Sequence, residues 1–239
     1  MENRISFKVR GKFALFTDPV TKIGGEKCTY QVPTYEALRG VARSVYWKPT
    51  FIWRIDKVRV INQIRTQTKG VRPLNYSGGN SLAFYTYLAD VEYHVQAHFE
   101  WNPLASELAA DRNDNKHYLM LKRYLERGGT RDIFLGAREC QGYVEPIEWS
   151  DKPEGFYKDV DEVSFGLMFH SFLYPEESGK NELYSRFWYP KMRCGEIDFA
   201  GHDGELISKF VHPMKGTQFI DKRNHDARTF DAANVEALS

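Results

Sequence analysis

The apolar positions of the first 150 residues change their period along the chain, and each change predicts a new element. Stretches rich in β-branched and aromatic residues with rough alternation are typical of strands, and two stretches with apolar residues three or four apart are typical of amphipathic helices. The predicted strands are Ile5–Phe16, Phe51–Thr68, Leu82–Trp101 and Thr130–Ile147, and the predicted helices are Pro33–Trp47 and a segment within Asp111–Gly129. This β-α-β-β-α-β order predicts an α+β, ferredoxin-like (RRM-like) domain with a four-stranded antiparallel sheet and two helices on one face.

A charged segment with Pro and Gly, WSDKPEGFYKDVDE, predicts a domain boundary near residue 150. After it come only short strand-like stretches, so we expect residues 1–150 to form the ferredoxin-like domain and residues 151–220 a small antiparallel β-rich domain. Residues 221–239 are polar and are expected to form a flexible tail. The ferredoxin-like fold hosts many functions, so the fold alone does not decide among them.

Composition limits the cellular compartment in which the protein is expected. The 239 residues contain no apolar stretch long enough to span a membrane, and the N-terminus MENRISFKVRG lacks the pattern of a signal peptide. Cys28, Cys140 and Cys194 are far apart and form no CxxC motif, which argues against a disulfide framework or a zinc cluster. We therefore expect a cytoplasmic protein with no membrane association.

The formal net charge is only +1, but the charges are unevenly distributed along the chain. Residues 1–70 carry 14 Lys and Arg against 5 Asp and Glu, a local charge of +9. Such an excess is typical of a face that binds anions, nucleic acid among them. The plainer interpretation is that these cations are spread over solvated strands.

The first predicted helix has two neighbouring stripes. Its apolar arc consists of Leu38, Val41, Ala42 and Val45. Arg39, Arg43 and Tyr46 follow on the adjacent stripe, so that Tyr46 emerges beside two arginines at the helix end. From these residues alone, Tyr46 either covers the edge of the core beneath two extended arginines or belongs to a site.

In the second predicted helix, Lys116 and His117 lie in the first turn, where the helix dipole mildly disfavours cations. One interpretation is a half-buried histidine satisfied by a backbone carbonyl, beside a solvated lysine. The other is an anion site, because free N–H groups at a helix start bind phosphate and a lysine adds a point charge. A neutral imidazole at the positive end of the dipole can also accept a proton.

Several catalytic patterns are absent from the sequence. It contains no GxxxxGK[ST], HExxH or GxSxG motif, and no spaced cluster of acidic residues that would hold two metal ions. Asp111 and Asp114 are interpreted as helix-start residues. We therefore expect neither a metal nor a cofactor.

Three segments together resemble one known family. PTYEALRGVARSVYWKPTF, NKHYLMLKRYLERGG and DIFLGARECQGYV are similar to segments of the CRISPR-associated Cas5 family, and most similar to its subtype I-C (Dvulg-type) members. The likeness covers nearly the whole chain. It implies a ferredoxin-like N-terminal domain, a smaller β-rich C-terminal domain, and binding of guide RNA within the Cascade complex.

The resemblance also implies an active site. In the subtype I-C branch, a tyrosine late in the first helix and a Lys-His pair opening the second cut precursor CRISPR RNA, and these positions are Tyr46, Lys116 and His117 here. The family's glycine-containing segment corresponds to Phe134–Arg138. The residues expected to contact RNA are Arg39, Arg43, Lys48 and Arg138.

The expected function is therefore that of a metal-independent endoribonuclease. The 2′-OH upstream of the cut would attack its own phosphate and leave a 2′,3′-cyclic phosphate and a 5′-OH. His117 would exchange the proton, Lys116 would stabilise the phosphorane, and Tyr46 would orient or protonate. The expected partners are the precursor repeat hairpin, the mature guide RNA and other Cascade subunits. The alternative is a non-catalytic subunit that holds the 5′ handle of the guide RNA.

Overall fold

The computed structural model describes residues 3–22, 25–74, 76–200 and 206–216 of the chain. The helices are α1 (Pro19–Lys22), α2 (Tyr35–Val45), α3 (Asp114–Glu126) and α4 (Pro175–Ser178), and a short 3-10 helix, Ser106–Asp111, precedes α3. The strands are β1 (Arg4–Ala14), β2 (Phe51–Val60), β3 (Thr66–Val71), β4 (Ala83–Trp101), β5 (Ile133–Phe134), β6 (Gln141–Pro146), β7 (Val163–Ser164), β8 (Met168–Leu173), β9 (Glu182–Trp188), β10 (Lys191–Arg193), β11 (Glu196–Asp198) and β12 (Ile207–Pro213).

The fold is α+β, with mostly antiparallel sheets and few helices. Within the described part of the chain, nine strands form one large sheet in the order β5-β6-β1-β4-β2-β11-β10-β7, with β3 paired to β4 outside this path. β1 is an interior strand, antiparallel to both β4 and β6, and β4 pairs with β2 on its other side. The buried side chains of β1, Ile5, Phe7 and Val9, alternate as expected for a strand with one face on the core.

The predicted strand Phe51–Thr68 is wrong as a single element. The chain forms two strands there, and each pairs with a different part of the long strand β4: β3 with Ala83–Leu88 and β2 with Tyr93–Trp101. Asp90, whose φ of 51° lies in the left-handed region, separates the two parts of β4. One long strand therefore serves two partners, which a local pattern cannot indicate.

Both predicted helices are confirmed, and they contact each other and the large sheet. In α2 the predicted arc of Leu38, Val41, Ala42 and Val45 is buried. The side chain of Thr34 caps this helix by accepting a hydrogen bond from the N–H of Ala37 at 3.2 Å. These contacts place the end of α2 beside the start of α3.

The predicted strand Thr130–Ile147 is also divided in two, because a turn separates β5 from β6. Gly136 lies in this turn with a φ of 88°, and a Cβ added to it would lie 2.1 Å from the carbonyl oxygen of Leu15. Only glycine fits this close approach of two backbones. The turn lets β6 pair with the interior strand β1.

The predicted boundary at residue 150 does not coincide with a division of the sheet. β11 pairs with β2, and β10 and β7 extend the same sheet further. Only β8, β9 and β12 form a separate three-stranded sheet within the described residues. The predicted tail, residues 221–239, lies outside the described residues. None of the helices described is long and apolar enough to cross a membrane.

Candidate active site

Tyr46 ends α2, where the backbone turns extended with a φ of −158°. Its ring is buried and stacks on that of Tyr124, with centroids 5.5 Å apart. The indole N–H of Trp53 donates a hydrogen bond to the carbonyl oxygen of Tyr46 at 2.8 Å and fixes the backbone there. The hydroxyl lies 2.8 Å from Nδ1 of His117, a residue 71 positions later in the chain.

His117 is wholly buried in the first turn of α3. Its Nε2 lies 2.7 Å from the carbonyl oxygen of Asp111, which can only accept a hydrogen bond, so Nε2 carries a proton. The neutral ring then has its lone pair on Nδ1, which accepts the hydrogen bond from the hydroxyl of Tyr46. The neighbours of His117 therefore specify one tautomer and one orientation of the ring.

Aromatic rings enclose the imidazole. The rings of Phe51, Phe99 and Trp101 lie edge to face with it, with centroid distances of 5.6, 6.4 and 5.6 Å. Because these rings exclude water, electrostatic interactions within the cluster are stronger than they would be at the surface.

Lys116 is the member of the cluster that reaches solvent, since about half (49%) of its side chain is exposed. Its Nζ lies 2.5 Å from Oδ1 of Asp111, whose other carboxylate oxygen lies 3.4 Å from Nε2 of His117. Burial tends to raise the pKa of the Asp111 carboxyl, but the hydrogen bond and charge of Lys116 and the charge of Lys48 outweigh it and hold that pKa below its usual range. Asp111 is therefore a carboxylate at neutral pH.

The hydroxyl of Tyr46 is a neutral phenol at the same pH. Burial raises the pKa of Tyr46 to about 12, and the negative charge of Asp111 adds to the effect. The phenol therefore holds its proton until a stronger base or a local charge change removes it, and Nδ1 of His117 is the acceptor already in contact with it.

The structure thus brings together the three residues predicted as catalytic, Tyr46, Lys116 and His117, and adds Asp111. Asp111 was interpreted from the sequence as a helix-start residue, but α3 begins at Asp114 with Asn113 as its cap, and Asp111 ends the preceding 3-10 helix. In the sequence, the spacing of five residues between Asp111 and Lys116 was the signal that could have indicated their contact. The contact depends on the turn between the two helices, which the periodicity did not reveal.

Arg39 was expected to be exposed and to contact RNA. It is buried instead, which corrects that expectation. Two carboxylates accept hydrogen bonds from its guanidinium: Glu36 from Nη2 at 2.7 Å and Glu177 from Nη1 at 2.7 Å. The positive end of Arg39 therefore points into an ion-pair cluster that joins α2 to α4. The other residues expected to contact RNA, Arg43, Lys48 and Arg138, are exposed.

The basic residues of the first third of the chain do not form a surface that carries the full positive charge counted from the sequence. Many of its cations pair with acidic side chains, several of them from later strands. The pairs are Arg4–Asp56, Lys8–Glu145, Arg10–Glu145, Arg39–Glu36, Arg54–Glu100, Arg59–Glu196 and Arg65–Asp90. Four acidic residues from beyond residue 70 take part in these pairs (Asp90, Glu100, Glu145 and Glu196), so folding offsets part of the excess of +9, which neither of the two sequence interpretations included.

Across the described ranges, no three His, Cys, Asp or Glu side chains are grouped as a metal site would need. The cluster supplies instead a hydrogen-bonded phenol and imidazole, a carboxylate and a half-exposed ammonium. These groups are suited to moving a proton beside a bound anion.

Comparison with known proteins identifies the class of this α+β protein. A family model described as CRISPR-associated protein (Cas_Cas5) matches residues 5–200. The chain belongs to the CRISPR-associated Cas5 family, in its subtype I-C branch, Cas5d.

Two curated relatives carry the same name, "CRISPR pre-crRNA endoribonuclease Cas5d". The protein from Mannheimia succiniciproducens is 31% identical over 175 residues, which are 63% of this chain and 76% of the relative. The protein from Thermus thermophilus is 27% identical over 191 residues, which are 75% of this chain and 78% of the relative.

Two solved structures are similar over most of their length. One, described as a CRISPR-associated protein, is 35% identical with a TM-score of 0.73, and the other, the functionally uncharacterized protein SMU1763c from Streptococcus mutans, is 38% identical with a TM-score of 0.72. Each match covers 87% of this chain and 97% of the solved chain.

Proposed function

We propose that this chain is a pre-crRNA endoribonuclease, which cuts precursor CRISPR RNA within its repeats and remains with the guide RNA as a subunit of the type I-C Cascade complex. The observation that carries the proposal is the hydrogen-bonded pair of Tyr46 and His117 beside the half-exposed Lys116. The pair lies in a chain whose named relatives are pre-crRNA endoribonucleases.

We assign the N-terminal part to the ferredoxin-like arrangement. The support is the order β6-β1-β4-β2 within the large sheet, together with α2 between β1 and β2 and α3 between β4 and β6. In a β-α-β-β-α-β unit with these connections, the end of one helix lies near the start of the other. This is the position of Tyr46 and His117.

The reaction is an attack of the substrate on itself. The 2′-oxygen upstream of the cut bonds to the adjacent phosphorus, and the bond from phosphorus to the 5′-oxygen breaks. The products are a 2′,3′-cyclic phosphate and a 5′-OH, and no metal takes part. The nucleophile belongs to the RNA, so the protein has to orient it, remove its proton and stabilise the charge of the phosphorane.

Tyr46 and His117 act as one acid–base unit. A phenol with a pKa of about 12 is not a base by itself. With Nδ1 of His117 at 2.8 Å, its own proton moves to the imidazole while its oxygen takes the proton of the 2′-OH. The 5′-oxygen is protonated by solvent, and the imidazolium returns its proton to solvent to complete the cycle.

Lys116 and Asp111 complete the site in different roles. Lys116 stabilises the negative oxygens of the phosphorane, since its ammonium is the most accessible charge of the cluster. Asp111 is a positioning residue: its carbonyl holds the Nε2 proton of His117, and its carboxylate lies 3.4 Å from the same nitrogen, where it stabilises the imidazolium that forms. RNA has to compete with Asp111 for Lys116, which links binding to the local charge of the site.

The proposal is tested by incubating the purified protein with an end-labelled CRISPR repeat RNA in EDTA. We expect one cut within the repeat, with a 2′,3′-cyclic phosphate on the upstream product and a 5′-OH on the downstream product. Binding without any cleavage, under conditions in which the protein is folded, would leave only the role of a structural RNA-binding subunit. The absence of both would contradict the proposal.

A further inference from the structure

A cavity of about 430 Å³ lies next to the candidate active site. Trp47, which follows Tyr46 in the chain, forms part of its wall, and so does Phe51. The ring of Phe51 lies 5.7 Å from that of Tyr46 and 5.6 Å from that of His117. The cavity and the active site therefore share a wall, and a group in the cavity is close to a phosphate at Lys116.

The walls are flat and aromatic. Trp47, Phe51, Trp53 and Tyr174 contribute rings, and the guanidinium of Arg43 lies 5.5 Å from the centroid of the Trp47 ring. Aromatic rings with a planar cation beside them favour a planar partner that can stack. A volume of this size is in the range of small-molecule sites.

Arg39 contributes a buried side chain to the wall of the cavity. It lines the cavity with a side chain only 2% exposed, and its two terminal nitrogens bind Glu177 and Glu36. The remaining donor, Nε, has no acceptor among the residues that the structure describes. That nitrogen is buried with the rest of the side chain, so Arg39 closes one side of the cavity and offers no accessible donor to an occupant.

The charges of the lining argue against an anion. Arg39 and Arg43 are balanced by Glu176 and Glu177, so the formal charges of the lining cancel. A phosphate would meet both carboxylates, whereas a neutral planar group would not be repelled. The preferred occupant is therefore flat and neutral.

We propose that this cavity binds one unpaired nucleobase of the substrate RNA, next to the scissile phosphate. The inference rests on the proposed function. The base stacks on the aromatic wall at Trp47, beside the guanidinium of Arg43. This contact fixes the register of the RNA at Lys116 and so selects the phosphate that is cut.

The test uses an uncleavable repeat RNA, with a 2′-deoxy nucleotide at the cut, in which each unpaired position near the cut is replaced in turn by an abasic nucleotide. The Kd of each RNA is measured for the wild type, Trp47→Ala and Trp47→Phe. We expect one abasic position to weaken binding roughly 5- to 100-fold, the range of stacking losses. Trp47→Ala should weaken binding of the intact RNA to a similar extent. The abasic substitution at that position should not weaken binding to Trp47→Ala any further, and Trp47→Phe should retain part of the affinity.

Equal abasic effects in the wild type and in Trp47→Ala, at every position, would overturn the inference. Because Trp47→Ala removes a packed ring, Tyr174→Ala tests the opposite side of the cavity, and the thermal unfolding of each variant is measured alongside. Tyr189→Ala, which removes an exposed ring elsewhere, serves as the control and should leave every Kd unchanged. Cleavage of the all-ribose repeat by the wild type is measured in parallel: if the wild type cuts and no position couples to the cavity, the cavity inference alone fails, whereas no cutting at all contradicts the proposed function.

Discussion

Each end of α2 carries a polar cluster. The two clusters are similar in composition but differ in what they do. At its start, Arg39 is sealed between Glu36 and Glu177. At its end, Tyr46 contacts His117, which in turn contacts Asp111 and, through it, Lys116. Both clusters join a cation to carboxylates, but in the second a phenol lies within hydrogen-bond distance of an imidazole, beside a half-exposed lysine.

Charge explains the difference. Burial alone would lower the pKa of the Arg39 guanidinium, but Glu36 and Glu177 outweigh it and raise that pKa above its ordinary value, so the cluster keeps its protons at any physiological pH. The second cluster has a proton on Tyr46 and a free lone pair on His117. A sealed ion pair holds elements together, whereas a hydrogen-bonded pair of neutral acid and base can transfer a proton.

The largest expected effect is on the rate of cleavage. His117→Ala should lower it by about 10²- to 10⁴-fold, the usual loss for a general acid–base group, with little change in the Kd for the repeat. Single-turnover cleavage and Kd are measured on the same preparation, and thermal unfolding checks the buried site. Tyr46→Phe keeps the ring packing and removes only the hydroxyl, so a wild-type rate in this variant would contradict the acid–base unit.

The next effect is on stability rather than rate. Arg39→Ala leaves two carboxylates without their buried partner, and we expect the free energy of unfolding to fall by about 3–5 kcal/mol. Arg43→Ala, one helical turn later and exposed, should change it by no more than about 0.5 kcal/mol. Urea unfolding measures both, and equal losses in the two variants would refute the distinction between a sealed and an exposed arginine.

Lys116→Ala should affect the cleavage rate more than stability, the reverse of what is expected for Arg39→Ala. A half-exposed ion pair contributes about 0–1 kcal/mol to stability, so the unfolding transition should hardly move. Cleavage should fall by roughly 10²- to 10³-fold, because a donor to the charged oxygens is lost. Lys122→Ala, which removes an exposed lysine further along α3, is the matched control. A large loss of stability with an unchanged cleavage rate would mean that Lys116 has a structural role like that of Arg39.

The smallest effect concerns the exposed cations near the end of α2. Arg43→Ala and Lys48→Ala should each weaken RNA binding modestly, and each should reduce the slope of log K against log salt by about 0.7 if one single-strand phosphate contact is lost. Binding isotherms at several salt concentrations measure this. Lys152→Ala, which changes an exposed lysine near the opposite end of β2, is expected to leave the slope unchanged. No change of slope in either α2 variant would remove that surface from the RNA interface.

Sequence alone predicted the two helices well because their signals are local. The apolar arc of α2 and its Thr34 cap lie within a few residues of one another, and the first turn of α3 was placed correctly for Lys116 and His117. What failed depended on distant partners. Arg39 borders the apolar arc, and its burial follows from Glu177, 138 residues away, which helical spacing cannot reveal.

Two further errors occur at turns whose sequence signal is weak. The hairpin of β10 and β11 was not predicted, since its turn uses Cys194 with a φ of 48° before Gly195 with a φ of 82°. A non-glycine residue in the left-handed region is an uncommon choice for such a turn, so the sequence signal is weak. Asp111 was placed in the wrong role for a similar reason, because the turn between the 3-10 helix and α3 brings it back to Lys116.

The most direct test of the central claim changes the RNA and leaves the protein intact. A single 2′-deoxy substitution just upstream of the scissile phosphate removes the nucleophile while leaving phosphate charge and helix shape almost unchanged. We predict wild-type affinity for this RNA and complete loss of cleavage at that phosphate, with or without magnesium, while EDTA does not slow cleavage of the all-ribose repeat. Cleavage of the substituted RNA at the same bond would mean that water attacks, and would contradict the role assigned to Tyr46 and His117.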